Sequence, residues 1–129
     1  MSVAGFGFRE AATADSLRGA LQAALAQSDA PITLTALATA WDKVAAPAFV
    51  QFAAEWGLPV LAISAEALHA QPSHGSAHVP TRYGQGSLAE SSALAAAGRG
   101  AQLRGPRCVS PDRLATAAIA FVLPENTFP

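Results

Sequence analysis

Apolar and polar positions change their period several times along the chain. Residues 2–8, Ser-Val-Ala-Gly-Phe-Gly-Phe, form an apolar run that predicts a buried strand. Leu17, Leu21, Ala24 and Leu25 then recur at helical spacing, so a helix is expected over 13–27 with Thr13 or Asp15 as its cap. Residues 32–40 interleave Thr33, Thr35 and Thr39 with apolar positions, the alternation of a second strand. Pro47 suits the first turn of a helix that runs to about Trp56, where Gly57 stops it. A short strand follows at Pro59–Ile63, and Ser64 caps a short helix reaching Ala70. Residues 71–86, rich in Pro, Gly, Ser and His, keep no period and read as a long loop. Ser87-Leu-Ala-Glu90 reads as a capping box opening a helix that ends at Gly98. Two further strands are expected at 101–104 and 114–123, then a tail.

This order, β-α-β-α-β-α-loop-α-β-β, predicts an α/β fold: a three-layer α/β/α sandwich around a mostly parallel, mixed sheet of about five strands. The last two strands lack an intervening helix, so one of them is expected to run antiparallel. With no repeat or linker, the 129 residues are expected to make a single domain over 1–129. Ligands of such sheets bind at the carboxyl ends of the strands, beside helix N-termini.

Composition sharpens this in two places. Half of the residues are hydrophobic and 13% are charged, enough for a compact core, and a net charge of −1 gives no nucleic-acid or membrane signature. The longest apolar run, Leu114–Leu123, is about half a membrane span. A single cysteine, Cys108, excludes an internal disulfide framework, and Met1 leads into a strand-like run without a basic leader, so a cytoplasmic location is expected. The charge is unevenly spread. Residues 1–81 carry three basic and six acidic side chains, whereas residues 82–113 carry five arginines against two acids. Arginine is the side chain best shaped for bidentate contacts to carboxylate or phosphate.

Several stretches carry candidate chemistry. GFGFRE, Gly5–Glu10, has the first two glycines of a dinucleotide loop, but Glu10 stands where a third small residue is needed and would repel a pyrophosphate. Its glycines either let a ligand approach the backbone, with Arg9 reaching an anion, or merely permit a strand-end turn. GQGSLAE, Gly84–Glu90, leads glycines into a helix N-terminus, a place where free N–H groups favour an anion. The alternative is a structural cap. ATAWDK, Ala38–Lys43, puts Thr39, Asp42 and the only lysine of the chain at a strand's carboxyl end, for anion binding, proton donation or a plain surface pair. His69, His74 and His78 fall within ten residues but match no zinc spacing, so no metal site is expected. Cys108 has no local feature that would activate it as a nucleophile. GPRCVS, Gly105–Ser110, adds an arginine and a hydroxyl, or is an ordinary turn.

The ordered set GFGFRE, ATAWDK with PAFVQFAAEWGLPV, GQGSLAESSALAAAG and LRGPRCVSPDRLATAAIA resembles the cobalamin-biosynthesis family comprising CobE and the C-terminal domain of CbiG, over Ser2 to about Ala120. The resemblance implies ligand-binding roles for Gly5, Gly7, Arg9, Thr39, Lys43, Gly84, Ser87, Arg107 and Ser110, with Glu90 and Thr116 also at family positions. Phe8 stands where the family often has cysteine, and Arg107 where it often has lysine; the second change keeps the charge. The function implied is binding of a precorrin or corrinoid intermediate and assistance to a pathway step, with no cofactor. Two alternatives stay open: an enzyme acting on a precorrin, with Lys43 and Glu90 as acid–base groups, and a module docking to another cobalamin-pathway enzyme. The carboxylates around a corrin precursor suit an arginine-rich face, and Phe6, Phe8, Trp41 or Tyr83 could cover the macrocycle.

Overall fold

The computed structural model describes residues 1–70 and 87–123. Its elements follow the hydrophobic pattern closely: β1 (Ser2–Phe8), α1 (Ala14–Ala26), β2 (Leu34–Ala40), α2 (Pro47–Trp56), β3 (Val60–Ile63), α3 (Ala65–His69), α4 (Leu88–Ala97), β4 (Gln102–Leu103), β5 (Cys108–Val109) and β6 (Ala115–Phe121). The six strands form one mixed sheet in the order β3-β2-β1-β6-β4, with β5 also paired to β6. β1, β2 and β3 are parallel. β6 runs antiparallel to β1, and β4 and β5 run antiparallel to β6. The expected α/β sandwich is therefore present, with one strand more than expected: Cys108–Val109, read from sequence as a turn or ligand contact, pairs with Ala117 and Thr116.

Alternation along β1 assigns the two layers. Ala4 and Phe6 face α1 and α2, where Leu17, Leu21, Phe49 and Phe52 complete one core. Phe6 meets Phe49 and Phe52 edge-on, with centroids 5.7 and 5.2 Å apart, the arrangement ring quadrupoles favour. Val3 faces the other way, into a second core with Ala38, Ile63, Leu68, Ala93 and Leu94 of β2, β3, α3 and α4. Gly5 shares that face. A Cβ on Gly5 would collide with the backbone of Ala89 and Ala93, so the absence of a side chain there is what lets α4 lie directly on the central strand. α4 is buried from Leu88 to Leu94 without a polar face, including Glu90, Ser91 and Ser92.

Caps fix where the helices begin. Thr13 and Ser16 form a reciprocal capping box at α1. Gly57, with φ of 64°, ends α2 as a left-handed cap. Thr13, Pro47 and Ser87 open α1, α2 and α4 at the same end of the sheet, the end where β1 and β2 finish.

Candidate functional site

At that end, α4 begins over Gly7, whose added Cβ would stand 3.3 Å from the Leu88 Cβ. Ser87 caps the helix by accepting the Glu90 N–H at 3.4 Å. The reciprocal half of the expected capping box is not made. Glu90 instead accepts from Arg107 Nη1 at 3.2 Å through Oε1, while Oε2, fully buried, has no hydrogen-bond partner among the described residues. The Glu90 side chain is 0% exposed and that of Arg107 31%. A buried carboxylate thus holds Nη1 of a partly exposed guanidinium, beside a helix N-terminus that favours anions. Thr116 pairs with Gly7 on one side and Val109 on the other, at the same level of the sheet.

Thr39 and Lys43 serve a different purpose. The β1–β2 register runs to Gly5↔Ala38. Beyond it, the Phe6 carbonyl accepts from Thr39 Oγ1 at 2.8 Å and the Phe8 carbonyl accepts from Lys43 Nζ at 2.7 Å. Two side chains thus take carbonyls near the end of β1. Thr39 is fully buried, and its hydroxyl is spent inside the fold. The Lys43 ammonium also lies 4.7 Å from the Phe8 ring centroid, and that ring stacks on Phe49 of the α1/α2 layer. Lys43 lines a cleft of about 360 Å³ between Phe8 and the start of α2, with Glu10 and Asp42 in the same wall. Two carboxylates beside one ammonium make that cleft poorly suited to an anion.

Ser110 belongs to a third arrangement. Asp112 accepts from Ser110 Oγ at 2.5 Å, Ser16 Oγ at 2.6 Å and Leu114 N at 3.0 Å. Ser110 Oγ in turn accepts from Ala115 N at 3.1 Å. This network pins the β5–β6 turn to the first turn of α1. The bonds from Ser110 first, then from Ser16 and the Leu114 N–H, hold the Asp112 carboxyl below its usual range. Burial pushes the Cys108 thiol up, the opposite of an activated nucleophile.

The sequence-derived residues therefore separate into groups. Gly7, Ser87, Glu90, Arg107 and Thr116 gather around the start of α4. Gly5 lies beneath α4 as a packing glycine, out of reach of a ligand. Thr39 tethers β1 and β2, and Ser110 braces a turn. Phe6 is wholly in the core and cannot cover a macrocycle. Trp41 is 40% exposed. Arg9 is exposed at the end of β1. Lys43 and Glu90, the acid–base candidates, are held in different layers, one against Phe8 and the other within α4. Gly84, Tyr83, His74 and His78 lie outside the described residues, and among the described ones no group of three ligating side chains is assembled. Asp112 and the left-handed Arg113 were not singled out by sequence reasoning; the run Ser-Pro-Asp before Arg113 was the turn signal that could have found them.

The sequence matches the family model described as cobalamin synthesis G C-terminus over residues 2–120. The crystal structure of CobE, a protein from the cobalamin (vitamin B12) biosynthetic pathway, is similar at 30% identity and a TM-score of 0.82, over 95% of this chain and 91% of that one. Cobalamin biosynthesis protein chiG from Agrobacterium tumefaciens shares 32% identity with a TM-score of 0.73, over 96% of this chain and all of that one. A cobalamin biosynthesis protein G homologue from Sulfolobus solfataricus shares the fold at 18% identity and a TM-score of 0.65, with 92% of this chain aligned to 36% of that one. A search of curated proteins found no match.

Proposed function

The chain belongs to the cobalamin synthesis G C-terminus family, and on that premise we propose that it serves cobalamin biosynthesis by binding a precorrin or corrinoid intermediate at the carboxyl end of its sheet. Involvement in the pathway follows from the family and from the CobE and chiG relatives. The finer reading rests on one observation, the buried Glu90 that holds a partly exposed Arg107 at the start of α4. Corrin precursors carry carboxylates around the ring. A guanidinium with one edge fixed meets such a group with little further loss of freedom. The α4 N-terminus adds its partial positive charge. Exposed Trp41, following β2, offers apolar surface for the macrocycle.

Bond-making has less support. Glu90 is enclosed and paired, and Lys43 is spent on the Phe8 carbonyl in the opposite layer. Binding, with the reaction supplied by another pathway enzyme, accounts for these residues better than an acid–base pair.

Titration of tryptophan fluorescence with a series of free-acid precorrins and corrinoids, with NADPH as control, tests this. Saturable quenching is expected from one of them, weakened by salt. Arg107→Ala removes a charge-assisted contact and is expected to raise Kd about tenfold or more. Unchanged affinity in Arg107→Ala would contradict the site. No binding by any tetrapyrrole would contradict the function and leave docking to a pathway enzyme as the better account.

A further inference from the structure

The turn between β5 and β6 reads Ser110-Pro111-Asp112-Arg113-Leu114. Arg113 N donates to the Ser110 carbonyl at 2.9 Å, and Ser110 N donates to the Ala115 carbonyl at 2.8 Å. Arg113 itself has φ of 64°, the one non-glycine residue in the left-handed region among the described residues. A hairpin turn closed this way ordinarily carries glycine or asparagine at that position, because a Cβ there crowds the following carbonyl. Every other residue of the turn agrees with the local backbone. Pro111 sits at the second position, and Asp112 is saturated by Ser16, Ser110 and the Leu114 N–H. The strain at Arg113 is thus held by its surroundings, and the only thing arginine adds over glycine is its side chain. That side chain is exposed and makes no ion pair among the described residues.

Arg9 stands beside it. Its N–H donates to the Leu114 carbonyl at 2.8 Å, extending the β1–β6 ladder one residue beyond Phe8↔Ala115. Arg9 is also exposed and without an ion pair among the described residues. Both arginines stand on the rim where α4 begins. Arg107 precedes β5 and Arg113 follows it, so the two positions are separated by the length of the hairpin arm.

We propose that Arg113, with Arg9, forms a second carboxylate-reading position on this rim, and that the site selects ligands carrying acid groups on separate arms over ligands with a single anionic group. This rests on the binding function proposed above. Arg107 reads one peripheral carboxylate and the Arg9–Arg113 pair another. The left-handed turn is the device that aims the second reader.

Arg113→Gly tests it, because glycine relieves the backbone and removes the side chain together. Wild type, Arg113→Gly, Arg9→Ala and Arg107→Ala would be titrated with free-acid corrinoids and with the same macrocycles whose side arms are amidated. Arg113→Gly is expected to melt at a higher temperature than wild type and yet bind the free acids about five- to tenfold more weakly, with a shallower dependence on salt. Arg9→Ala is expected to show the same loss of affinity without the gain in stability. Wild-type affinity in Arg113→Gly, alongside weakened binding in Arg107→Ala, would overturn this proposal and leave the binding function standing. Equal binding of acids and amides by wild type would also overturn it. No binding of either ligand by wild type would overturn the binding function first, and this proposal with it.

Discussion

Asp112 shows how one side chain can define the working end of the molecule without touching a ligand. Its carboxylate gathers two hydroxyls and a backbone N–H, tying the β5–β6 turn to the cap of α1. Those bonds favour the ionised form, so its pKa in the folded chain lies below the unfolded value. Stability from such a group is complete above about pH 4 and is lost as pH falls through the folded value. Melting temperatures followed by circular dichroism from about pH 7 to pH 2.5 should therefore drop in wild type below about pH 4. Asp112→Asn should melt lower at neutral pH and show a flatter decline over the acid range. Parallel acid declines in the two proteins would show that Asp112 carries none of this linkage. At this scale the sequence was legible as residue type and not as purpose. Ser110 and Thr39 stood out as hydroxyls in suggestive places, but the Thr39 partner lies on another strand, and the Asp112 that Ser110 meets is fixed by Ser16 from α1. The same limit applies to Glu90: a helix-capping pattern is local, whereas the arginine that draws its carboxylate away lies on a later strand connection.

Between elements, the contact of α4 with β1 organises both the core and the site. Gly5 and Gly7 looked like the opening of a ligand loop. Gly5 exists instead so that the Ala89–Ala93 stretch of α4 can touch the strand backbone, and Gly7 leaves room for Leu88. Gly5→Ala forces the helix outward or distorts the strand. A loss of about 3 kcal/mol is expected, at the upper end of overpacking costs, measurable by urea denaturation, with fluorescence reporting the fold. A neutral Gly5→Ala would mean that α4 does not sit this close. Most strands and helices were readable because they kept a clear period over seven or more residues or began or ended on a cap, and the short β3 and β4 because each lies in a brief run bounded by Gly or Pro. β5 was not, because Cys108 and Val109 sit within a Gly-Pro-Arg and Ser-Pro-Asp setting that reads as a turn; only the partner strand β6 reveals it. The orientation of α4 was also hidden. Its residues are apolar or small on nearly every side, so the pattern marked a helix without saying which face met the sheet.

Across the whole molecule, three helix N-termini and the ends of β1 and β2 converge on one rim of a three-layer sandwich. The arginine-rich stretch of the sequence does not form one patch there. Arg99 follows the far end of α4, and Arg104 lies 4.5 Å from the centroid of the Phe121 ring at the opposite end of the sheet. Arg113 remains on the functional rim, joined by Arg9 from a segment that is acidic overall, while Arg107 stands a hairpin arm away, held by Glu90 near the start of α4. The charge count thus pointed to the right residue type, but only folding separates structural arginines from exposed ones. The central claim is that a corrinoid binds at this rim. Mapping of backbone amide chemical shifts on titration with the free-acid intermediate tests it most directly. Saturating shifts are expected for residues 7–12, 87–91 and 107–114, with residues 99–104 and the start of β1 unmoved. Shifts concentrated at that opposite end of the sheet, or none at saturating ligand, would contradict the account.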